Sequence, residues 1–144
     1  MNENVLRAGL LATAKAMANC GLNTGTAGNA SVRCTRGFLI TPTDACLGTL
    51  DPARIAKVLA TGEWVGGDKP SKTLALHRGI YDRNADAHAV VHTHSTHLVA
   101  LTLAGVPLAL GKEFKKGGAK PSMLAALRRR LVGSEQALVY VLMC

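Results

Sequence analysis

A chain of 144 residues is long enough to bury one sizeable hydrophobic core and short for more than one domain. Hydrophobic residues make up 48% of it, yet no apolar run approaches the roughly 18 residues of a membrane helix, and MNENVLRAGL lacks a signal peptide's basic start and apolar block. Cys20, Cys34, Cys46 and Cys144 are scattered with no CxxC pair, which reads as a reduced cytoplasmic protein rather than a disulfide scaffold or a cysteine-based zinc site. The net charge of +8 is unevenly placed: residues 1–104 carry ten Lys/Arg against seven Asp/Glu, and residues 105–144 carry seven against two. Aromatic residues are only 3% of the chain, so the stacking platforms of single-strand nucleic-acid binders are missing, and Arg128-Arg129-Arg130 reads as a solvated helix face.

In chain order, Leu6, Leu10, Ala14 and Met17 recur at helical spacing before Gly21, which predicts an amphipathic helix over residues 4–20. The glycine-rich stretch GLNTGTAGNASVR follows, then a strand over Ala30–Arg33, a turn at Thr35-Arg36-Gly37 and an apolar strand Phe38-Leu39-Ile40 ended by Pro42. Asp51-Pro52 reads as the start of a helix with Ile55, Val58 and Leu59 as its buried stripe. Trp64–Asp68 reads as a loop or short edge strand. Ser71 is placed to cap a helix carrying Leu74, Ile80 and Tyr81 inward until Asn84. The β-branched run AVVHTH predicts a strand over residues 89–94, followed by a short helix from Ser95 to Gly105. Further on, Pro121-Ser122 opens a predicted helix through Val132, and Ala137–Met143 reads as a buried strand. The chain stops directly after it, as an unfinished domain would. Helices between strands, with hairpins instead of strict βαβ alternation, imply a mixed α/β domain with an antiparallel-rich sheet.

Two constellations carry chemistry. In His92-Thr93-His94 the residues two apart share one face of a strand, so both imidazoles can converge on one metal ion. Two histidines on a half-buried strand can also simply satisfy hydrogen bonds, but the position at a strand end, before a Ser-capped helix, favours the metal. His97, one helical turn on, and His77, on the preceding helix, read as supporting or packing histidines, and His88 as a surface residue. The second constellation is glycine with small hydroxyls and a lysine: Thr24, Thr26, Gly28, Asn29, then Thr41 and Thr43, then Ser71 and Lys72. Backbone that can approach a ligand closely, hydroxyls, a cation and a helix N-terminus suit a phosphate, although such clusters also mark ordinary turns. No Walker or GxGxxG motif is present.

Taken in order, Thr24-Gly25-Thr26-Ala27-Gly28-Asn29-Ala30-Ser31-Val32-Arg33, Phe38-Leu39-Ile40-Thr41-Pro42-Thr43, Lys69-Pro70-Ser71-Lys72 and Ala89-Val90-Val91-His92-Thr93-His94-Ser95 give a chain that resembles the class II aldolase/adducin family over about residues 5–104. Leu47-Gly48-Thr49-Leu50-Asp51-Pro52-Ala53-Arg54 and His92–His97 look most like a decarboxylase subgroup. The resemblance implies an α/β/α sandwich with a central, mostly antiparallel sheet, and a homotetramer with active sites between subunits. It implies His92 and His94 as Zn²⁺ ligands, and Gly28, Asn29, Thr43, Ser71 and Lys72 as the pocket for the phosphate of a small sugar or sugar acid. The implied chemistry is cleavage of a carbon–carbon bond, by decarboxylation or retro-aldol reaction, through a metal-stabilised enediolate.

Two departures from the family pattern bear on activity. Thr73 stands where the family usually has an acid/base glutamate, and a threonine hydroxyl cannot cycle a proton near neutral pH. No histidine follows His97 to act as the family's third zinc ligand, and the segment from Gly105 on lies outside the matched motifs. Glu63, Asp68 and Glu113 are the carboxylates that could substitute, while Asp44 would repel a phosphate beside it. Two readings follow. One is a zinc-dependent lyase; the other is a non-catalytic module like the adducin head, which keeps the fold without the chemistry.

Overall fold

The computed structural model describes residues 2–94, 96, 100, 103–104 and 138–143. Its centre is a six-stranded sheet built from β1 (Asn29–Cys34), β2 (Gly37–Ile40), β3 (Ala56–Leu59), β4 (Trp64–Gly66), β5 (Ala87–Thr93) and β6 (Leu138–Met143), in the order β4-β3-β2-β1-β5-β6. Every neighbouring pair is antiparallel except β5 and β6, which run parallel. Helix α1 (Glu3–Asn19) covers one face and α2 (Leu74–Arg83) the other, which is the layered α/β arrangement expected.

Alternation along the strands builds both layers at once. Ala30 and Val32 of β1, Leu39 of β2, and Ala89 and Val91 of β5 meet Leu6, Leu10, Ala14 and Met17 of α1. The intervening residues Phe38, Ile40, Ala56, Val58 and Val90 meet Tyr81 of α2, with Leu74 and Ile80 partly buried beside them. Helix α1 begins where the Asn2 side chain accepts the Asn4 N–H at 2.9 Å. It ends where Gly21, at φ +68°, lets the Leu22 N–H reach back to the Met17 carbonyl.

The helix expected from Asp51 is a single tight turn, Pro52–Arg54, capped as anticipated by the Asp51 carboxylate on the Ala53 N–H. Ile55 is buried just after it, and β3 then alternates buried and half-buried, with Ala56 and Val58 inward and Lys57 and Leu59 outward. The apolar set Ile55, Val58 and Leu59 fits a helical stripe by spacing alone; pairing with the whole length of β2 selects the period of two instead. A second difference concerns α2, whose N-cap is Thr73 rather than Ser71. Of the helix predicted from Ser95 to Gly105, the described residues Thr96, Ala100 and Leu103 are helical, and the Ala104 N–H donates to the Ala100 carbonyl at 2.9 Å. The helix over Pro121–Val132 lies outside the described residues, whereas the strand expected near the end is present as β6.

Arg33 ties α2 to the sheet. It donates from Nε to the Ala87 carbonyl at 2.8 Å and from Nη2 to those of Tyr81 and Asn84 at 3.0 and 3.2 Å, and it lies 4.6 Å over the Tyr81 ring.

Leu39, fully buried under α1, is expected to cost about 2–5 kcal/mol on replacement by alanine. Leu76, 45% exposed on α2, is expected to cost no more than about 0.5 kcal/mol. Urea unfolding of both variants checks this burial assignment, and equal losses would contradict it.

Candidate active site

Three segments converge at one end of the sheet. The glycine-rich loop brings Thr26, Ala27, Gly28 and Asn29; the stretch after β2 brings Pro42, Thr43 and Asp44; the approach to α2 brings Ser71, Lys72 and Thr73. Together with His94 they line a cavity of about 160 Å³. The last two segments are zipped by backbone: the Thr43 N–H donates to the Lys69 carbonyl at 2.9 Å, and the Ser71 N–H to that of Thr41 at 3.2 Å. Gly28 sits at φ +76°, and a Cβ there would overlap the Asn23 side chain. Asn23 in turn accepts the His94 N–H at 3.3 Å, so the loop and the end of β5 are held to each other.

All five residues expected to bind substrate, Gly28, Asn29, Thr43, Ser71 and Lys72, therefore border one cavity. Thr24 and Thr41 do not. Thr24 makes a turn, its carbonyl accepting the Ala27 N–H, and Thr41 is wholly buried with its hydroxyl accepting the Ala30 N–H at 3.1 Å. Asp44 meets Lys72 at 3.1 Å, but both side chains are mostly exposed, so the pair is worth roughly 0.2–1 kcal/mol and yields readily to an anion. Glu63 lies in the exposed turn between β3 and β4, and Asp68 is paired with Arg54 at 2.6 Å; neither borders the cavity. Glu113 lies outside the described residues. Two larger surface grooves, about 620 and 410 Å³, run along α2 and α1 and contain neither histidine of the pair.

His92 and His94 stand beside each other with ring centroids 4.9 Å apart and planes tilted by 37°. Two neutral imidazoles on the same side of a strand end fit a divalent cation as two of its ligands. Among the described residues no group of three or more His, Cys, Asp or Glu side chains is arranged for a metal. His97 lies outside them, and His88 is exposed as expected. Burial lowers the His92 pKa, with the neighbouring His94 charge adding to the effect, which favours the neutral ring.

Behind the pair lies a buried polar row that the sequence reading missed. His92 faces Asn29 across the β1–β5 ladder, and Asn29 Nδ2 is 3.4 Å from His92 Nδ1. Asn29 Oδ1 lies 2.6 Å from His77 Nε2 and accepts the Thr73 hydroxyl at 2.9 Å. His77 Nδ1 is 2.7 Å from the Ser31 hydroxyl, which is 2.8 Å from the Tyr81 hydroxyl. Thr73 also meets Ser71 at 3.1 Å. His77 and Ser31 are wholly buried, and any atom left unpaired here would cost about 1–3 kcal/mol. Burial, with His92 nearby, lowers the His77 pKa to about 3, and burial raises that of Tyr81. The signal was legible as a pattern: Asn29, Ser31 and Arg33 alternate on one strand, and Thr73, His77 and Tyr81 recur every fourth residue on one helix.

This sandwich, with its glycine loop, hydroxyl-lined cavity and paired imidazoles, is the framework of a class II aldolase-type domain. The chain belongs to the class II aldolase and adducin N-terminal domain family, whose model matches residues 8–133, past the point where the quoted motifs end. It is 62% identical over 104 residues to a 3-oxo-tetronate 4-phosphate decarboxylase of Cupriavidus necator, covering 72% of this chain and 48% of that protein. It is 37% identical over 108 residues to an L-fuculose phosphate aldolase of Escherichia coli, covering 75% and 50%. The crystal structure of YgbL from Escherichia coli, described as a putative aldolase/epimerase/decarboxylase, superposes with a TM-score of 0.64 at 45% identity over 67% of this chain and 47% of that one. Its counterpart from Klebsiella pneumoniae gives 0.69 at 27% identity over 99% and 76%. The chain spans about half the length of the curated relatives it matches.

Because folded His77 stays neutral down to about pH 3 while the unfolded side chain takes up a proton below about 6.5, stability through this residue is complete above pH 6.5 and falls as the pH drops. Going from pH 8 to 5 is expected to cost about 2 kcal/mol through His77 alone. Urea midpoints at the two pH values should show a correspondingly shallower loss in His77→Gln. A slope equal to that of the unsubstituted protein would contradict the assignment.

Proposed function

We propose that this chain is part of a cytoplasmic, metal-dependent lyase that breaks a carbon–carbon bond in a small phosphorylated sugar acid or sugar, and that it works as a homo-oligomer. The observation that carries this reading is that His94, whose ring stands 4.9 Å from that of His92, lines the same cavity as Gly28, Asn29, Thr43, Ser71 and Lys72. A cavity of about 160 Å³ is below the roughly 300–1,000 Å³ of a site for a drug-sized ligand and suits one end of a small substrate, such as a phosphate. Lys72 supplies charge, Thr43 and Ser71 supply hydroxyls, and the start of α2 adds its positive dipole end.

His92 and His94 are the residues that would hold Zn²⁺ or a similar divalent ion. A cation held there supplies Lewis acidity for the negative charge left on the substrate when the bond breaks. The chain's own residues bind the phosphate end, orient the reacting carbons toward the imidazoles and, through the buried Asn29–His77 contact, fix the ring of His92. The decarboxylase and aldolase names of the relatives support the two alternative bond cleavages, with a phosphorylated substrate common to both.

A specific observation favours a second reading, a binding module without chemistry. The Thr73 hydroxyl, where the family pattern has a carboxylate, is taken up by Asn29 and Ser71 and has no proton to cycle near neutral pH.

Metal analysis of the purified protein is expected to find a divalent ion that disappears in the His92→Ala/His94→Ala double variant. Failure of the unsubstituted protein to retain or bind Zn²⁺ would support the binding module. Thr73→Glu is expected to raise release of CO₂ or of a triose phosphate from phosphorylated sugar acids and sugars by at least tenfold. An unchanged or lower rate would contradict the placement of Thr73 at the proton-transfer position.

A further inference from the structure

The buried row behind His92 has a property that its separate contacts do not. A side-chain amide offers a donor on one side and an acceptor on the other, and a neutral imidazole does the same with its two nitrogens. Asn29 touches two imidazoles at once, His92 with its Nδ2 end and His77 with its Oδ1 end. As the contacts stand, Asn29 Nδ2 donates to His92 Nδ1, so the ring proton of neutral His92 is on Nε2. Asn29 Oδ1 accepts from His77 Nε2–H, so His77 Nδ1 accepts from Ser31, and Ser31 accepts from Tyr81. Turning the amide over reverses the bonds to both rings and the bond between His77 and Ser31, and lets the Ser31–Tyr81 bond reverse with them. His92 then carries its proton on Nδ1 and donates to Asn29 Oδ1; His77 accepts the amide at Nε2 and donates from Nδ1 to Ser31; Ser31 donates to Tyr81. Thr73 is compatible with both arrangements, because its hydroxyl can donate to the amide oxygen or accept from the amide nitrogen.

A mixed state sets donor against donor or acceptor against acceptor at largely buried atoms. His77 and Ser31 are wholly buried, and Asn29, His92 and Tyr81 are 5–6% exposed. Burial also keeps His77 uncharged throughout the neutral range, which removes the escape of protonating both its nitrogens. Among the described contacts, two arrangements satisfy both rings. In the first, Nε2 of His92 bears a proton and offers a metal no lone pair; its Nδ1 is occupied by Asn29. In the second, Nε2 is a ligand.

We propose that Asn29 is a positioning residue that holds His77 and His92 in the same tautomer, so that freeing His92 Nε2 to ligate a metal reverses the hydrogen bonds from His92 through Asn29 and His77 to Ser31. Each ring gives up one proton at one nitrogen and gains one at the other, with water as the carrier when the row opens, and the net charge does not change. The coupling between the two rings stands on the contacts alone; its link to a metal rests on the metal reading of the preceding subsection.

The test is long-range nitrogen–proton correlation NMR on the full chain with ¹⁵N-labelled histidine at pH 8, without metal and with saturating Zn²⁺. Without metal, His77 and His92 are expected to share the Nε2–H form; with Zn²⁺, both should change completely to Nδ1–H. In Asn29→Ala, Zn²⁺ should change His92 and leave His77 unmoved. Opposite tautomers in the metal-free protein, or a Zn²⁺ response of His92 that His77 does not follow, would overturn the proposal even if the alanine variant fails to fold. Matched Nε2–H tautomers that neither ring leaves on adding Zn²⁺ would contradict the metal reading and support the coupling.

Discussion

The site depends on a match of two repeats. Every second residue of an extended strand is about 6.6–6.8 Å further on, and every fourth residue of a helix about 6 Å further on. Asn29, Ser31 and Arg33 therefore meet Thr73, His77 and Tyr81 in sequence, each strand residue touching one or two of the helix residues. Neither row could be buried alone, since each would strand polar atoms in the core. Together they dock α2 at one register on the sheet. That register sets Ser71 and Lys72 at the start of α2 beside the glycine loop, and sets Asn29 against His92.

Stability and the proposed function thus draw on the same atoms. On the α1 face the strands contribute mainly apolar residues, with Lys57 of β3 paired to Glu3 of α1 at the side, and a close-packed set of suitable volume would serve in the apolar part. On the α2 face the apolar contacts of Phe38, Ile40, Val58 and Val90 stand next to a polar row whose partners are fixed atom by atom. Specificity of docking is purchased there at the cost of burying hydroxyls, an amide and an imidazole, and every one of them leads toward the cavity. Asp44 and Lys72 at the rim are the opposite case, exposed and weakly bound to each other, and so open to a charged ligand.

Much of this was legible in the sequence, for reasons that differ by element. Helix α1 carries four apolar residues on one stripe with a glycine stop, and β5 is a β-branched run, so local pattern and tertiary context agree. The segment from Asp51 failed because its apolar spacing suits a helix as well as a strand, and only the neighbouring β2 decides between them. The motifs located the cavity residues, since glycine, hydroxyl and lysine clusters are local in the chain. His77 and Tyr81 were read as packing residues because their meaning lies across a strand–helix interface some 46 to 50 positions away in sequence, at Ser31. Thr73 was singled out by the family pattern, but that its hydroxyl is spent on Asn29 is visible only in three dimensions.

In the proposed function, one face of the sheet end carries a cation between two rings, next to a niche for an anion. Diffraction from crystals soaked in zinc and phosphate, recorded at the zinc absorption edge, addresses it most directly. The account predicts a single strong anomalous peak within bonding distance of one nitrogen from His92 and one from His94. A peak elsewhere, or none at these rings, would contradict it.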